Sequence, residues 1–455
     1  SNQRATSRAS HGMVDTITPT TDSGESAAAY RRRSSQRRYI EDIQHKARRR
    51  RILTFVIAAV VVVGLAVGAG VLAFRGTVGS DMSLGDSDAK TVLVAAAEDD
   101  PVYTLIAVDL GAVATPLERS GPDVLLLARA DKQDGTLALI NIPADLRVTL
   151  TDGNFHHLYE ASQSGDAALI DAVSKFSGVK VSHYVKVSHD NLVSMVDALG
   201  GVEVDVSQVI DDPHAGDVYL TAGKQTLDGH SALTFLRATN LKLGVADQLN
   251  NQLAFASSLL GKVFGEGGEV SFSTRLGSID TFFQTDYSFD ELVKLQEWQK
   301  GIAVDKITCV AVPGYMTATT GVVQGEASYY MASSNDVAAI IATLDEGGDV
   351  HANENAVANI DKSSFKVEVQ NGADIVGAAS ATGDALKAAG FNVGEVGNAE
   401  QAVYNETLVI YKSDATQAQA VINTLGIGRP VFASYYYEYD ADVLVILGSD
   451  YMPTS

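Results

Sequence analysis

The pattern of apolar and polar positions divides the chain into stretches of different character. Residues 1–51 show almost no apolar periodicity and are rich in Ser, Thr and Arg, the pattern of a disordered tail. Residues 52–74, ILTFVIAAVVVVGLAVGAGVLAF, are an unbroken apolar run without a formal charge. About 20 apolar residues at 1.5 Å rise span a bilayer core, so this run predicts one transmembrane helix. A signal peptide has a shorter apolar core near the chain start, so a retained anchor is the better reading. Gly64 and Gly68 add a GxxxG spacing, a weak sign of helix pairing.

After a Gly/Ser/Asp linker at 75–90, short apolar runs alternate with amphipathic stretches. Strands are predicted over 92–96, 104–108, 124–128, 137–142 and 146–150, with a hairpin turn at Asp131-Lys-Gln-Asp-Gly135. Leu169, Ile170, Val173 and Phe176 share one face of a helix over 165–176. Leu192, Val193, Val196 and Leu199 do the same over 190–199, where Gly200-Gly201 ends the helix before an alternating strand at 202–206. Further helices are predicted at 228–236, 246–264, 289–300 and 335–344, followed by a polar linker at 348–363. The segment 364–455 has strands at 365–369, 391–396, 407–411 and 442–447, and helices at 375–389 and 415–425. That order, β-α-β-β-α-β, is a split-βαβ arrangement. The expected fold class is α/β (α+β) over 91–347, with a small C-terminal domain at 364–455.

Composition narrows the function classes. The 455 residues carry 34 Lys+Arg against 56 Asp+Glu, a net charge of −22, with 46% hydrophobic and 20% charged residues. These values exclude wholesale disorder, a collagen repeat and a polytopic membrane protein. A single cysteine, Cys309, excludes an internal disulfide framework and a cysteine zinc cluster. The acidic balance argues against nucleic acid as a partner. Residues 1–51, however, hold 12 basic and 5 acidic residues, with Lys46, Arg48, Arg49, Arg50 and Arg51 directly before the apolar run. The positive-inside rule then places residues 1–51 in the cytoplasm and residues 76–455 outside a bacterial cell membrane. The pairs in Arg31–Arg33 and Arg37–Arg38 either touch anionic headgroups or only set topology.

The blocks HYVKVSHDNLVSMVDALGGVEVDV (183–206) and LTAGKQTLDGHSALTFLR (220–237) closely resemble the LytR-CpsA-Psr family of cell-envelope proteins. PDVLLLAR (122–129), NIPADLRV (141–148) and TDYS (285–288) resemble further family elements in the family's order. FKVEVQNGADIVGAA with the ending VLVILGSDY resembles the small domain named for the LytR C-terminus. The resemblance implies a sheet flanked by helices with an apolar tunnel for a polyprenyl tail. It implies transfer of a glycopolymer from a polyprenyl-pyrophosphate lipid to peptidoglycan, with Mg²⁺, forming a phosphodiester.

Such chemistry needs cations around the pyrophosphate and carboxylates to hold the metal. Arginine suits the first task because its planar fork pairs with phosphate oxygens. By the resemblance, Asp123 and Asp145 are the expected magnesium-holding, catalytic carboxylates, and Glu98 or Asp99 stands in for the aspartate that ends the first strand. Arg237 is the surviving family arginine, expected to be catalytic and to grip the pyrophosphate. Arg119 and Arg147 are expected to help bind it, Arg147 because strand alternation puts it on one face with Asp145. The family's Ile-Pro-Arg-Asp is Ile142-Pro143-Ala144-Asp145 here, its Lys-Leu-Asn is His157-Leu158-Tyr159, and Gln248 and Asn251 occupy expected arginine positions as substrate-binding candidates. A neutral amide in place of arginine loses a charge-assisted hydrogen bond, about 1.5–3 kcal/mol. Two readings follow: a divergent transferase, or a catalytically lapsed protein that binds polyprenyl-phosphate lipid or wall polymer.

Other constellations are weaker. His156-His157 with Asp152 reads as a surface loop rather than a metal site, and Asp211-Asp212-Pro213-His214 with Asp217 as a solvated polar loop. Neither a Gly-x-Ser-x-Gly elbow nor a Walker loop occurs. Trp298 and Tyr435-Tyr436-Tyr437 suit packing better than sugar stacking.

Overall fold

The structure, a computed structural model, describes residues 82–85, 87–111, 121–265, 269–317, 327–433, 437 and 439–451. The predicted tail, the predicted membrane run at 52–74 and Arg119 lie outside the described residues. Among the described residues no helix is long and apolar enough to cross a membrane.

Strands β1 (Val102–Val108), β2 (Val124–Asp131) and β3 (Thr136–Asn141) form an antiparallel meander. The hairpin β4 (Arg147–Thr149) and β5 (Phe155–His157) leads into α1 (Asp166–Ser177). Next, β6 (His183–Val187) returns parallel to β1, followed by α2 (His189–Ala198). The hairpin β7 (Val202–Val206) and β8 (Gly223–Leu227) precedes α3 (Gly229–Arg237) and the long α4 (Val245–Phe264). Then come α5 (Glu269–Gly277), β9 (Gln284–Thr285), α6 (Phe289–Gln299) and β10 (Thr308–Ala311). The hairpin β11 (Tyr315–Met316) and β12 (Tyr330–Met331) and helix α7 (Ser334–Asp345) complete the domain.

The main sheet runs β10-β3-β2-β1-β6-β9 and mixes parallel and antiparallel pairs. Its apolar residues alternate between two cores, as a strand's two-residue period requires. Val124, Leu126 and Leu139 join α2, α3 and α4 on one face. Leu125, Leu127 and Ile140 join α1 and α7 on the other, through Leu169, Ile170, Val173 and Val337. Cover on both faces explains why β2 begins as an uninterrupted apolar run.

Three expectations change. Residues 92–96 form no strand: Val94 donates one bond to Val181 O (3.0 Å), but both edges of β1 are already taken by β2 and β6. The linker contains a short helix, α8 (Ala352–Ala358), because Val357 and Ile360 pack against the C-terminal core. That C-terminal domain comprises β13 (Lys366–Asn371), α9 (Ala378–Ala388), β14 (Asn392–Asn398), β15 (Leu408–Tyr411), α10 (Ala415–Leu425), β16 (Arg429–Phe432) and β17 (Val443–Leu447). Its order is β14-β13-β17-β15-β16, so β17 lies between two unsplit parallel βαβ units and the split arrangement is not formed. β16 escaped the hydrophobic pattern because it is an edge strand with Pro430 in it and Phe432 exposed.

Arg129 is 2% exposed, and its Nη2 donates to Asp131 Oδ2 (2.8 Å) and Asp345 Oδ1 (2.7 Å), tying the end of α7 to β2. Removing one partner of a buried ion pair strands the other charge. Arg129→Ala is therefore expected to lower unfolding free energy by about 3–5 kcal/mol in a urea titration; a loss below about 1 kcal/mol would mean Asp131 finds water instead.

Candidate functional site

Chemistry-bearing residues gather where β1 ends and β2 begins. The register Val108↔Val124 puts Asp109 and Asp123 side by side beyond the two strand ends, and Asp123 N–H donates to Val108 O (2.9 Å). The two carboxylates organise the turn after β1: Asp123 Oδ2 accepts from Leu110 N–H and Asp109 Oδ1 from Gly111 N–H, both at 2.7 Å. Gly111 has φ +73°, and a Cβ there would lie 2.8 Å from the His189 ring, so only glycine fits this turn.

Arg237 approaches from the last position of α3, a helix begun by Asp228, whose side chain accepts from Ser231 N–H (2.9 Å). Its Nη2 donates to Leu110 O and to Gly111 O (3.1 Å), and Nη1 reaches Ala215 O at 3.5 Å. Burial pulls the guanidinium below its ordinary pKa, against the opposing pull of Asp123 and Asp109. Among the described residues its buried Nε–H has no hydrogen-bond partner.

The glutamines of α4 hold that arginine in place. Gln248 Nε2 donates to Arg237 O (3.0 Å) and Leu236 O (3.3 Å), and Gln252 Nε2 reaches Leu236 O (3.4 Å). These are carbonyls that a helix end leaves without intrahelical partners. Gln248, expected to bind substrate, is bonded here to the carbonyls at the end of the helix that carries Arg237. Asn251 is buried on the same helix.

Asp212, read from sequence as solvated, is 4% exposed and accepts from His214 N (2.9 Å), Thr239 N (3.0 Å) and Asn240 N (3.2 Å). It clamps the segment after Arg237 to the loop that presents Ala215 O. The sequence signal was Pro213 after two acids, a turn in which an aspartate caps backbone donors.

Asp145 sits one strand over. Asp145 O accepts from Tyr330 N (2.8 Å), Ala144 O accepts from Tyr159 N (3.0 Å), and Gly121 packs so tightly on Tyr159 O that a Cβ would lie 2.6 Å from it. The Asp123 and Asp145 segments therefore meet through Tyr159. Asp145 precedes β4 in a turn, so strand alternation does not align Arg147 with it; Arg147 instead lies 4.5 Å over the exposed Phe155 ring. Glu98 and Asp99 are exposed turn residues before β1, and the aspartate that ends the first strand is Asp109. His156 is bonded on both sides, by Asp152 (2.8 Å) and Glu160 (2.7 Å), which raise its pKa in that order.

Asp109 and Asp123 supply hard carboxylate oxygens, a donor type that fits Mg²⁺ shared with phosphate oxygens. Among the described residues no group of three or more His, Cys, Asp or Glu could hold a metal by protein ligands alone.

Next to these polar groups lies an apolar cavity. One wall is the alternating set Val108, Ile106, Thr104 of β1 with Val124, Leu126, Ala128 of β2. The opposite wall is the helical stripe Gln252, Phe255, Ala256, Leu259, Leu260 and Val263 of α4. Val108, Val124 and Leu236 are each one residue from Asp109, Asp123 and Arg237, so one end of the cavity adjoins the charged cluster.

The Asp212 clamp gives a stability test. Burial pushes its pKa up, and the Thr239, His214 and Asn240 amides outweigh this and hold it below the ordinary carboxylate value. Its contribution is therefore full above the unfolded pKa, near ~4, and is lost as pH falls through the folded value. Asp212→Ala is expected to cost about 2–3 kcal/mol at neutral pH, with the gap from wild type closing in acid; a gap independent of pH would refute the clamp.

The LytR_cpsA_psr family model matches residues 83–346, and a second, described as LytR cell envelope-related transcriptional attenuator, matches residues 364–451. The cell wall biosynthesis protein LcpA of Corynebacterium glutamicum is 28% identical over 304 residues, 64% of this chain and 57% of LcpA. TagV of Bacillus subtilis, a polyisoprenyl-teichoic acid–peptidoglycan teichoic acid transferase, is 22% identical over 221 residues, 47% of this chain and 56% of TagV. The chain thus spans about half the length of these curated relatives. The crystal structure of TagV aligns with a TM-score of 0.47 at 21% identity, covering 55% of this chain and 98% of that one. With its family model matched over residues 83–346, more than half its length, the chain belongs to the LytR-CpsA-Psr family.

Proposed function

We propose that this protein binds a polyprenyl-pyrophosphate-linked glycan and transfers the glycan phosphate to a hydroxyl of peptidoglycan. The observation that carries the reading is the adjacency of an apolar cavity to Asp109, Asp123 and Arg237. An apolar tail and a doubly phosphorylated head need those two environments side by side. The relatives' names, cell wall biosynthesis protein and teichoic acid transferase, support the same reaction class.

In this mechanism the tail lies along the β1–β2 wall and the pyrophosphate sits at the strand ends. The Arg237 guanidinium meets the phosphate charge, and its carbonyl bonds hold it in place as that charge develops. Bound Mg²⁺ would screen the phosphate charge and stabilise the leaving phosphate; Asp109 and Asp123, with Asp145 at the adjoining turn, are the residues to hold it. The acceptor oxygen bonds to the phosphorus that bears the glycan, the bridging P–O bond breaks, and polyprenyl phosphate leaves. The hydroxyl proton passes to a carboxylate of the cluster. Residues 52–74 anchor the protein beside its lipid substrate, with the site on the outer face of the cell membrane.

A second reading, lipid or wall-polymer binding without turnover, is favoured by three positions. Ala144 stands at one expected arginine, Gln248 is engaged with α3 carbonyls, and Arg147 rests on Phe155. Purified protein with Mg²⁺ and a lipid-pyrophosphate glycan separates the two. Release of polyprenyl phosphate, reduced about a hundredfold or more in Arg237→Ala, is the expected result. Tight lipid binding without release would assign the second reading, and absence of both would overturn the lipid reading altogether.

A further inference from the structure

The cavity is a ladder whose far end has its own construction. Strand register sets its levels: Val108 with Val124 and Val187, then Ile106 with Leu126 and Val185, then Thr104 with Ala128 and His183. One pair further on, Ala130 faces Leu137. From Val124 to Ala130 the wall extends about 20 Å at ~3.3 Å per residue. Side chains on β2 shrink along the way, from Val124 and Leu126 to Ala128 and Ala130, so the far end is the wider part of that wall.

Tyr287 lines the same cavity and is braced by its hydroxyl, its ring and its backbone. Its Oη lies 2.8 Å from Thr104 Oγ1, which satisfies both hydroxyls in apolar surroundings. Its ring stacks on His183 at 3.7 Å between centroids and 18° between planes. His183 Nδ1 is 2.7 Å from Asp286 Oδ2, while Asp286 Oδ1 accepts from Tyr184 N (2.7 Å). Tyr287 N–H donates to Thr285 Oγ1 (3.2 Å), whose hydroxyl donates to Tyr184 O (2.9 Å). A phenol fixed by its ring face, its hydroxyl and its backbone is a rigid obstacle. The rest of the lining is aliphatic, Met or Phe apart from Thr104, Thr285, Gln252 and Gln299.

Resting on the lipid reading above, we infer that Tyr287 is the stop that sets how many isoprene units the cavity buries. A tail enters beside Asp109 and Asp123, runs along the β1–β2 wall, and meets the Tyr287 ring at the Thr104 level. Units beyond that point turn out of the cavity and add no buried area. Affinity therefore rises with chain length up to the stop and is flat afterwards, because binding follows apolar surface removed from water.

The test measures affinity of the full chain, in detergent micelles of fixed composition, for farnesyl, geranylgeranyl and undecaprenyl phosphate. Wild type is expected to reach its plateau before the longest chain. Tyr287→Ala moves the plateau to longer chains, with a gain of about tenfold for undecaprenyl over farnesyl phosphate relative to wild type. Tyr287→Phe keeps the ring and leaves the plateau where it was. Ala128→Leu, on the cross-strand partner of Thr104, narrows the cavity at the same level, moves the plateau to shorter chains and covers the case in which Tyr287→Ala does not fold. Binding retained with an unchanged length profile in Ala128→Leu, or in a folded Tyr287→Ala, would overturn the stop while leaving the lipid reading intact. Failure of wild type to bind any of the three would overturn both.

Discussion

Everything at the candidate site depends on keeping one cation half-buried. A guanidinium at the seam between a sheet end and a helix end loses hydration, and the chain offsets that loss with carbonyls rather than with a single ion pair. Leu110, Gly111 and Ala215 supply oxygens, and Asp109 and Asp123 supply a diffuse negative field. The carbonyls come from turns that are themselves pinned: by the two aspartates, by the glycine that lets the chain pass His189, and by Asp212. Charge, turn and helix end form one unit, and among the described residues the donor left over at Nε has no acceptor.

The cavity follows from the same elements seen from the apolar side. α4 carries an ordinary core-forming stripe, and the sheet carries an ordinary two-residue alternation. What keeps the two from collapsing onto each other is the polar bracing at both ends. Asn141 Nδ2 donates to Leu249 O (3.1 Å) and Gln252 Oε1 (2.9 Å) near the charged cluster, and the Thr104–Tyr287–His183 assembly stands at the other end. Each bond fixes a helix or loop at a set height above the sheet, so the space between stays open.

Much of this was legible in the sequence, and the misses have physical reasons. Helix positions came from apolar spacing, which burial enforces directly, and α10 was read to the residue. Asp123 and Arg237 were identified by resemblance, and the structure brings them to one turn. Asp109 was missed because the apolar run at 92–96 imitates a strand, which shifted the expected strand end to Glu98 and Asp99; one-dimensional patterning cannot count how many edges a strand has to offer. The engagement of Gln248 and Asp212 with backbone groups was not legible for a common reason. A polar side chain facing an unpartnered backbone group looks the same in sequence as one facing water or ligand. Arg147 went astray because the alternation argument assumed a strand where the chain turns.

The residue at position 248 illustrates a trade between two uses of one place on a helix. An arginine there, as the family pattern has it, would bring a second positive group near the phosphates but offers only donors fixed in a planar fork. The amide found here reaches back to the preceding helix and leaves the outward direction without charge. The protein has exchanged attraction for stillness. On the proposed reading Arg237 works from a fixed post, so a substrate has to come to the guanidinium, and discrimination between correct and incorrect head groups becomes a matter of reach and alignment more than of total electrostatic pull.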